Sequence, residues 1–121
     1  MIKLIKLTMF LFIFISNASA QVIKDGTYKF TMAFAEYATR DLDTTCTVVI
    51  KGRYITVLHD GNQSIKGKKG DIINQGILMK HKRTRKFIIG SSEKDKLAEE
   101  IGGCTDGPNI VDIEKKIFWT C

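Results

Sequence analysis

From residue 28 to residue 34 the chain sets Tyr28, Phe30, Met32 and Phe34 on one parity and Lys29, Thr31 and Ala33 on the other. An apolar period of two over that length marks a long β-strand with one buried face. Such a strand needs neighbours, and the sequence supplies them. Residues 45–51 and 54–59 are both rich in β-branched side chains. Gly52-Arg53 separates them, with glycine at the first central position that a type II′ hairpin turn demands. That turn opposes Ile50 to Ile55, Val48 to Val57 and Cys46 to His59.

Residues 72–79 and 87–89 make a second strand pair around the basic turn 80–86. Both parities are apolar there, Leu78 with Met79 and Ile88 with Ile89, so this pair is expected to be covered on both faces. Ser92 and Asp95 have capping-box spacing. They predict a short helix over 93–101, stopped by Gly102-Gly103. A last hairpin, 109–113 with 116–120, turns at Glu114-Lys115. The chain therefore reads as mainly β: a small antiparallel sheet or barrel of six to eight strands with one short helix near the C-terminus. Asp25-Gly26-Thr27-Tyr28, leading into the first strand, is similar to the way lipocalin-type barrels begin, over four residues and without their tryptophan. It implies nothing about function.

The N-terminus has its own pattern. Lys3 and Lys6 precede an apolar run over 7–15, and Ala18-Ser19-Ala20 supplies the small-x-small cleavage site of a secretory signal peptide. The run is about half the roughly 20 residues of a spanning helix. Residues 1–20 are thus expected to be a leader and 21–121 a single β-rich domain. No transmembrane segment should remain after cleavage, and the location should be secreted or periplasmic. Losing Lys3 and Lys6 lowers the formal charge of +6 by two, and the 44% hydrophobic content excludes a disordered chain.

Export gives the cysteines a meaning, because oxidising compartments preserve disulfides. The expected bridge is Cys104 with Cys121, leaving Cys46 reduced. A hairpin at Glu114-Lys115 sets Cys121 opposite Pro108, and the turn before Pro108 folds Cys104 back towards it. A final strand antiparallel to the first would carry Cys121 to that strand's start, out of reach of Cys46.

Candidate chemistry is sparse. Lys80, Lys82, Arg83, Arg85 and Lys86 form an anionic-surface candidate for lipid headgroups, acidic polysaccharide or an acidic exported protein; the competing reading is a solvated hairpin tip. No aromatic residue alternates with these cations as a base-stacking platform, and export also argues against nucleic acid. Cys46 beside His59 has the composition of a thiol–imidazole nucleophile. Its face, shared with Val48, Ile50, Ile55 and Val57, reads instead as core. With two histidines, no zinc-site spacing and no acidic calcium loop, neither a metal nor another cofactor is expected. Tyr28, Phe30, Phe34, Phe87, Phe118 and Trp119 serve either as core or as the lining of a ligand cavity. Asn62-Gln63-Ser64 fits a glycosylation acceptor on a turn. The expected function is a small exported non-enzymatic binding or interaction module. The alternatives are a secreted hydrolase using Cys46 and His59, or an inhibitor of an exported enzyme.

Overall fold

Seven strands follow one another: β1 Gly26–Phe34, β2 Thr45–Lys51, β3 Tyr54–Leu58, β4 Ile72–Lys80, β5 Phe87–Gly90, β6 Asn109–Asp112 and β7 Ile117–Thr120. In this computed structural model, which describes residues 23–35 and 44–121, each strand pairs with the next and β7 returns to β1 to close a barrel. The leader expected over 1–20 lies outside the described residues. No helix among the described residues is long and apolar enough to cross a membrane.

Closure follows from strand number. Consecutive pairs are antiparallel, and with an odd number of alternating strands the first and last must run the same way. The β1–β7 pair is accordingly parallel, from Thr31 opposite Ile117 to Phe34 opposite Thr120. This corrects the expectation of a final strand antiparallel to the first. The cysteine pairing survives the correction. Cys46 lies opposite Phe30 whereas Thr120 lies opposite Phe34. At about 3.3 Å per residue that offset is roughly 13 Å, against a disulfide Cα limit of about 7 Å. Cys104 and Cys121 are joined, with Cα atoms 4.9 Å apart, and Cys46 is free and buried.

The β2–β3 hairpin has the register expected from its turn, Val48 opposite Val57 and Ile50 opposite Ile55. Gly52 has φ +63° while Arg53 stays out of the left-handed region, the combination a type II′ turn requires. Alternating inward residues fill the barrel: Phe30 and Met32 of β1, Val48 and Ile50 of β2, Ile55 and Val57 of β3, and Phe118 of β7 among them. Met79 and Ile88 have the opposite parity yet are also buried. The β4–β5 pair is therefore covered on both faces, as its sequence requires.

The outer cover is a strap running from Ser91 to Pro108. In place of a helix over 93–101 it holds a single 3-10 turn, Glu93–Leu97. The correction has a local cause. The Lys96 carbonyl accepts the Lys82 N–H, and the Ala98 carbonyl accepts from His81 Nε2 at 2.7 Å. Both carbonyls are drawn to the β4–β5 turn instead of the next helical turn, and Ala98 leaves with an extended ψ of 138°.

Asp95 anchors the start of the strap. Its carboxylate accepts the Ser91 N–H at 2.7 Å and the Ser92 N–H at 3.4 Å. The Ser91 N–H above all, against an opposing effect of partial burial, with help from the Ser92 N–H and the Ser91 hydroxyl, holds this carboxyl below the usual aspartate range. A depressed folded-state value means that the unfolded chain binds more protons in the window between the two. The contribution is complete above the ordinary aspartate value of about 3.9 and is lost as pH falls below it. Amide hydrogen exchange of Ser91 and Ser92 should thus accelerate, relative to Asp95→Asn, as pH drops from 5 to 3. Identical pH profiles in the two proteins would contradict this.

Candidate functional site

The basic turn is rigidly built. His81 is fully buried. Because the Ala98 carbonyl can only accept, Nε2 of His81 carries a hydrogen, and Nδ1 accepts the Thr84 hydroxyl at 2.9 Å. Arg85 takes a left-handed φ of 66°, and its N–H donates to the His81 carbonyl. This clamp divides the cluster. Lys82 and Arg83 face the strap, where the Arg83 guanidinium donates to the Glu99 carbonyl at 2.8 Å. With Leu97 they border a shallow depression of about 330 Å³ whose other cation, Lys96, is already paired with Glu93. Lys80, Arg85 and Lys86 face the opposite way, and none of them forms an ion pair with a described residue.

Those three cations stand on one wall of a larger groove, about 610 Å³ in volume. It opens where β5 and β6 part. These strands are paired at only two positions, Ile88 with Ile110 and Ile89 with Asn109. Beyond them Phe87 and Ile113 diverge, still packed against the barrel core. Ile110 and Trp119 extend the apolar surface, and Gly102-Gly103 of the strap forms a wall without side chains. A Cβ at Gly103 would run into the backbone of Thr120, so glycine is what lets the strap lie flat on β7. Asp112 and Glu114 also line the groove. Asp112 is partly engaged, accepting the Lys115 N–H at 2.8 Å within the β6–β7 turn.

The sequence singled out Lys80, Arg85, Lys86, Phe87 and Trp119, and the fold brings all five to this groove. It leaves Lys82 and Arg83 outside it. Of the other aromatics, Phe30 and Phe118 are core, and Tyr28 packs at its margin with its hydroxyl on the Lys24 carbonyl. Gly102-Gly103, read as a helix stop, and Ile110 and Ile113, read as strand residues, are not expected at a site from sequence. The short β5–β6 ladder that exposes them leaves no local signature.

Cys46 and His59 are both buried, but neither is poised for chemistry. His59 Nδ1 accepts the Gly61 N–H at 2.9 Å, and Nε2 donates to the Ile65 carbonyl at 3.1 Å. Both ring nitrogens therefore serve to shape the loop after β3. Burial, and secondarily the Asp60 carboxylate, push the Cys46 thiol up to about 12. That is the opposite of an activated nucleophile. Iodoacetamide should leave Cys46 unmodified at pH 8 in the folded chain and label it on unfolding in guanidinium, as read by intact mass. Labelling at the rate of a free thiol before unfolding would contradict this. Among the described residues no three His, Cys, Asp or Glu side chains converge as a metal site. Asn62 of the glycosylation triplet turns its Oδ1 to the Ser64 N–H.

Comparison with protein-family models, with curated proteins and with solved structures returns no match for this chain.

Proposed function

We infer that this chain is a small exported binding module, without catalytic activity, whose groove between β5 and β6 takes up a small amphipathic molecule. One observation carries the reading: the open seam exposes Trp119, Phe87, Ile110 and Ile113 in a single concavity beside three cations that form no ion pair among the described residues. Its volume of about 610 Å³ lies within the roughly 300–1,000 Å³ of small-molecule sites. The barrel interior is packed with side chains, which directs attention to this outer site. Export is supported by the leader pattern over 1–20 and by the Cys104–Cys121 bridge. No observation favours the hydrolase or the inhibitor.

Trp119 is the only tryptophan, so the site carries its own reporter. Titration with anilinonaphthalene sulfonate, an apolar dye with one negative charge, should give saturable energy transfer from Trp119 at one dye per chain. Ile110→Glu should remove it without unfolding the barrel, since Ile110 is not among the core residues. Absence of transfer in the folded chain, or transfer untouched by Ile110→Glu, would overturn the reading.

A further inference from the structure

The geometry points to a specific ligand class for this groove, resting on the binding reading above: a single-chain amphiphile with one anionic head and an uncharged apolar tail. The head end is defined by Lys80, Arg85 and Lys86. The Lys80 ammonium lies 5.3 Å from the centre of the Phe87 ring, held there by cation–π attraction. The positive charge therefore sits directly above the first apolar surface of the groove. A carboxylate or sulfate placed against it leaves its own tail lying on Phe87.

The apolar path then continues over Ile113 to Ile110 and Trp119, with Gly102-Gly103 leaving the width of the strap open. A Cβ built on Gly102 would meet the Ile110 side chain at 3.7 Å, so its absence keeps the tail end clear. The apolar lining away from the cations decides the charge pattern. Asp112 and Glu114 line the groove from the β6 side, and continuing the register of Ile88 with Ile110 brings Asp112 level with Lys86, at the head end. A ligand anionic at both ends would lay its second charge on the apolar stretch of Ile110 and Trp119, and a cationic head would meet three like charges at Lys80, Arg85 and Lys86. One anionic end and one apolar end match the groove along its whole length. This complementarity confers specificity through unfavourable contacts as much as favourable ones.

The test keeps one chain length and varies the ends. Decanoate, 1-decanol, decyltrimethylammonium and decanedioate compete with the bound dye, monitored through Trp119 energy transfer. Decanoate should displace the dye with an apparent Kd at least tenfold below that of each of the other three. In the Lys80→Ser/Arg85→Ser/Lys86→Ser variant its affinity should fall about tenfold, to the level of decanol, as expected for loss of several partly exposed charge interactions. These side chains lie outside the core, so the variant keeps its fold. Equal displacement by all four ligands, preference for the cation or the dianion, or failure of every ligand to compete would each overturn the assignment of class. Each of those results leaves the dye bound and the groove reading standing. Failure of the dye itself to bind Trp119's site would instead remove the binding reading.

Discussion

Reducing the Cys104–Cys121 bridge is expected to lower the unfolding free energy by about 3 kcal/mol, the chain-entropy value for a closed loop of this length. The separation of the two cysteines is 17 residues, and the enclosed chain contains β6, β7 and the end of the strap. For a domain of this size the loss corresponds to a fall in Tm of roughly 12–24 °C, measured by calorimetry with and without dithiothreitol. Cys46 is buried and unbridged, so Cys46→Ser should retain the same reductant-induced shift. The bridge also pins Cys104 beside the end of β7, and through it Gly102-Gly103 on the groove wall. Dye affinity should therefore weaken several-fold on reduction at a temperature where the barrel is still folded. An unchanged Tm would contradict the stabilising role, and an unchanged affinity would separate the bridge from the groove.

Gly76→Ala is expected to be among the most damaging single substitutions. Gly76 lies opposite Ile55 in the β3–β4 ladder, and a Cβ there would enter the Gly90 carbonyl of the neighbouring strand. Neither backbone is free to withdraw. β4 is held on its other edge by β3, and Gly90 is flanked by Met79 and Asp95. The cost should reach the upper part of the overpacking range, about 3 kcal/mol. Gly52→Ala provides the contrast. Its Cβ would meet nothing within 4 Å, and the penalty comes only from φ +63°, which costs a non-glycine residue about 1–2 kcal/mol. Urea denaturation should rank Gly76→Ala clearly below Gly52→Ala; the reverse order would contradict the close approach of β4 and β5.

Much of the barrel was legible because its information is local. The Gly52-Arg53 turn fixed the β2–β3 register, and the turn at Glu114-Lys115 set Val111 opposite Phe118. The double-sided burial of the β4–β5 pair followed from its unbroken apolar parity. What failed was information held elsewhere in the chain. The capping pattern at Ser92 and Asp95 is present, but the Lys96 and Ala98 carbonyls are recruited by Lys82 and His81 some fifteen residues earlier, and the helix does not form. The direction of β7 against β1 depends on the number of strands between them, which no single segment reveals. The groove is similar in kind. Its cations and two of its aromatics attracted notice in the sequence, yet only the early parting of β5 from β6 joins them to Ile110, Ile113 and the glycine wall.

The central claim is that this seam is the functional surface of the molecule. It is tested most directly by a 1H–15N correlation spectrum recorded while the isotopically labelled, oxidised chain is titrated with anilinonaphthalene sulfonate. The account predicts saturable shifts centred on Phe87, Gly102, Gly103, Ile110 and Ile113, together with the Trp119 indole N–H. Shifts centred instead on the His59–Asp71 loop, or on Lys82, Arg83 and Leu97, would contradict it.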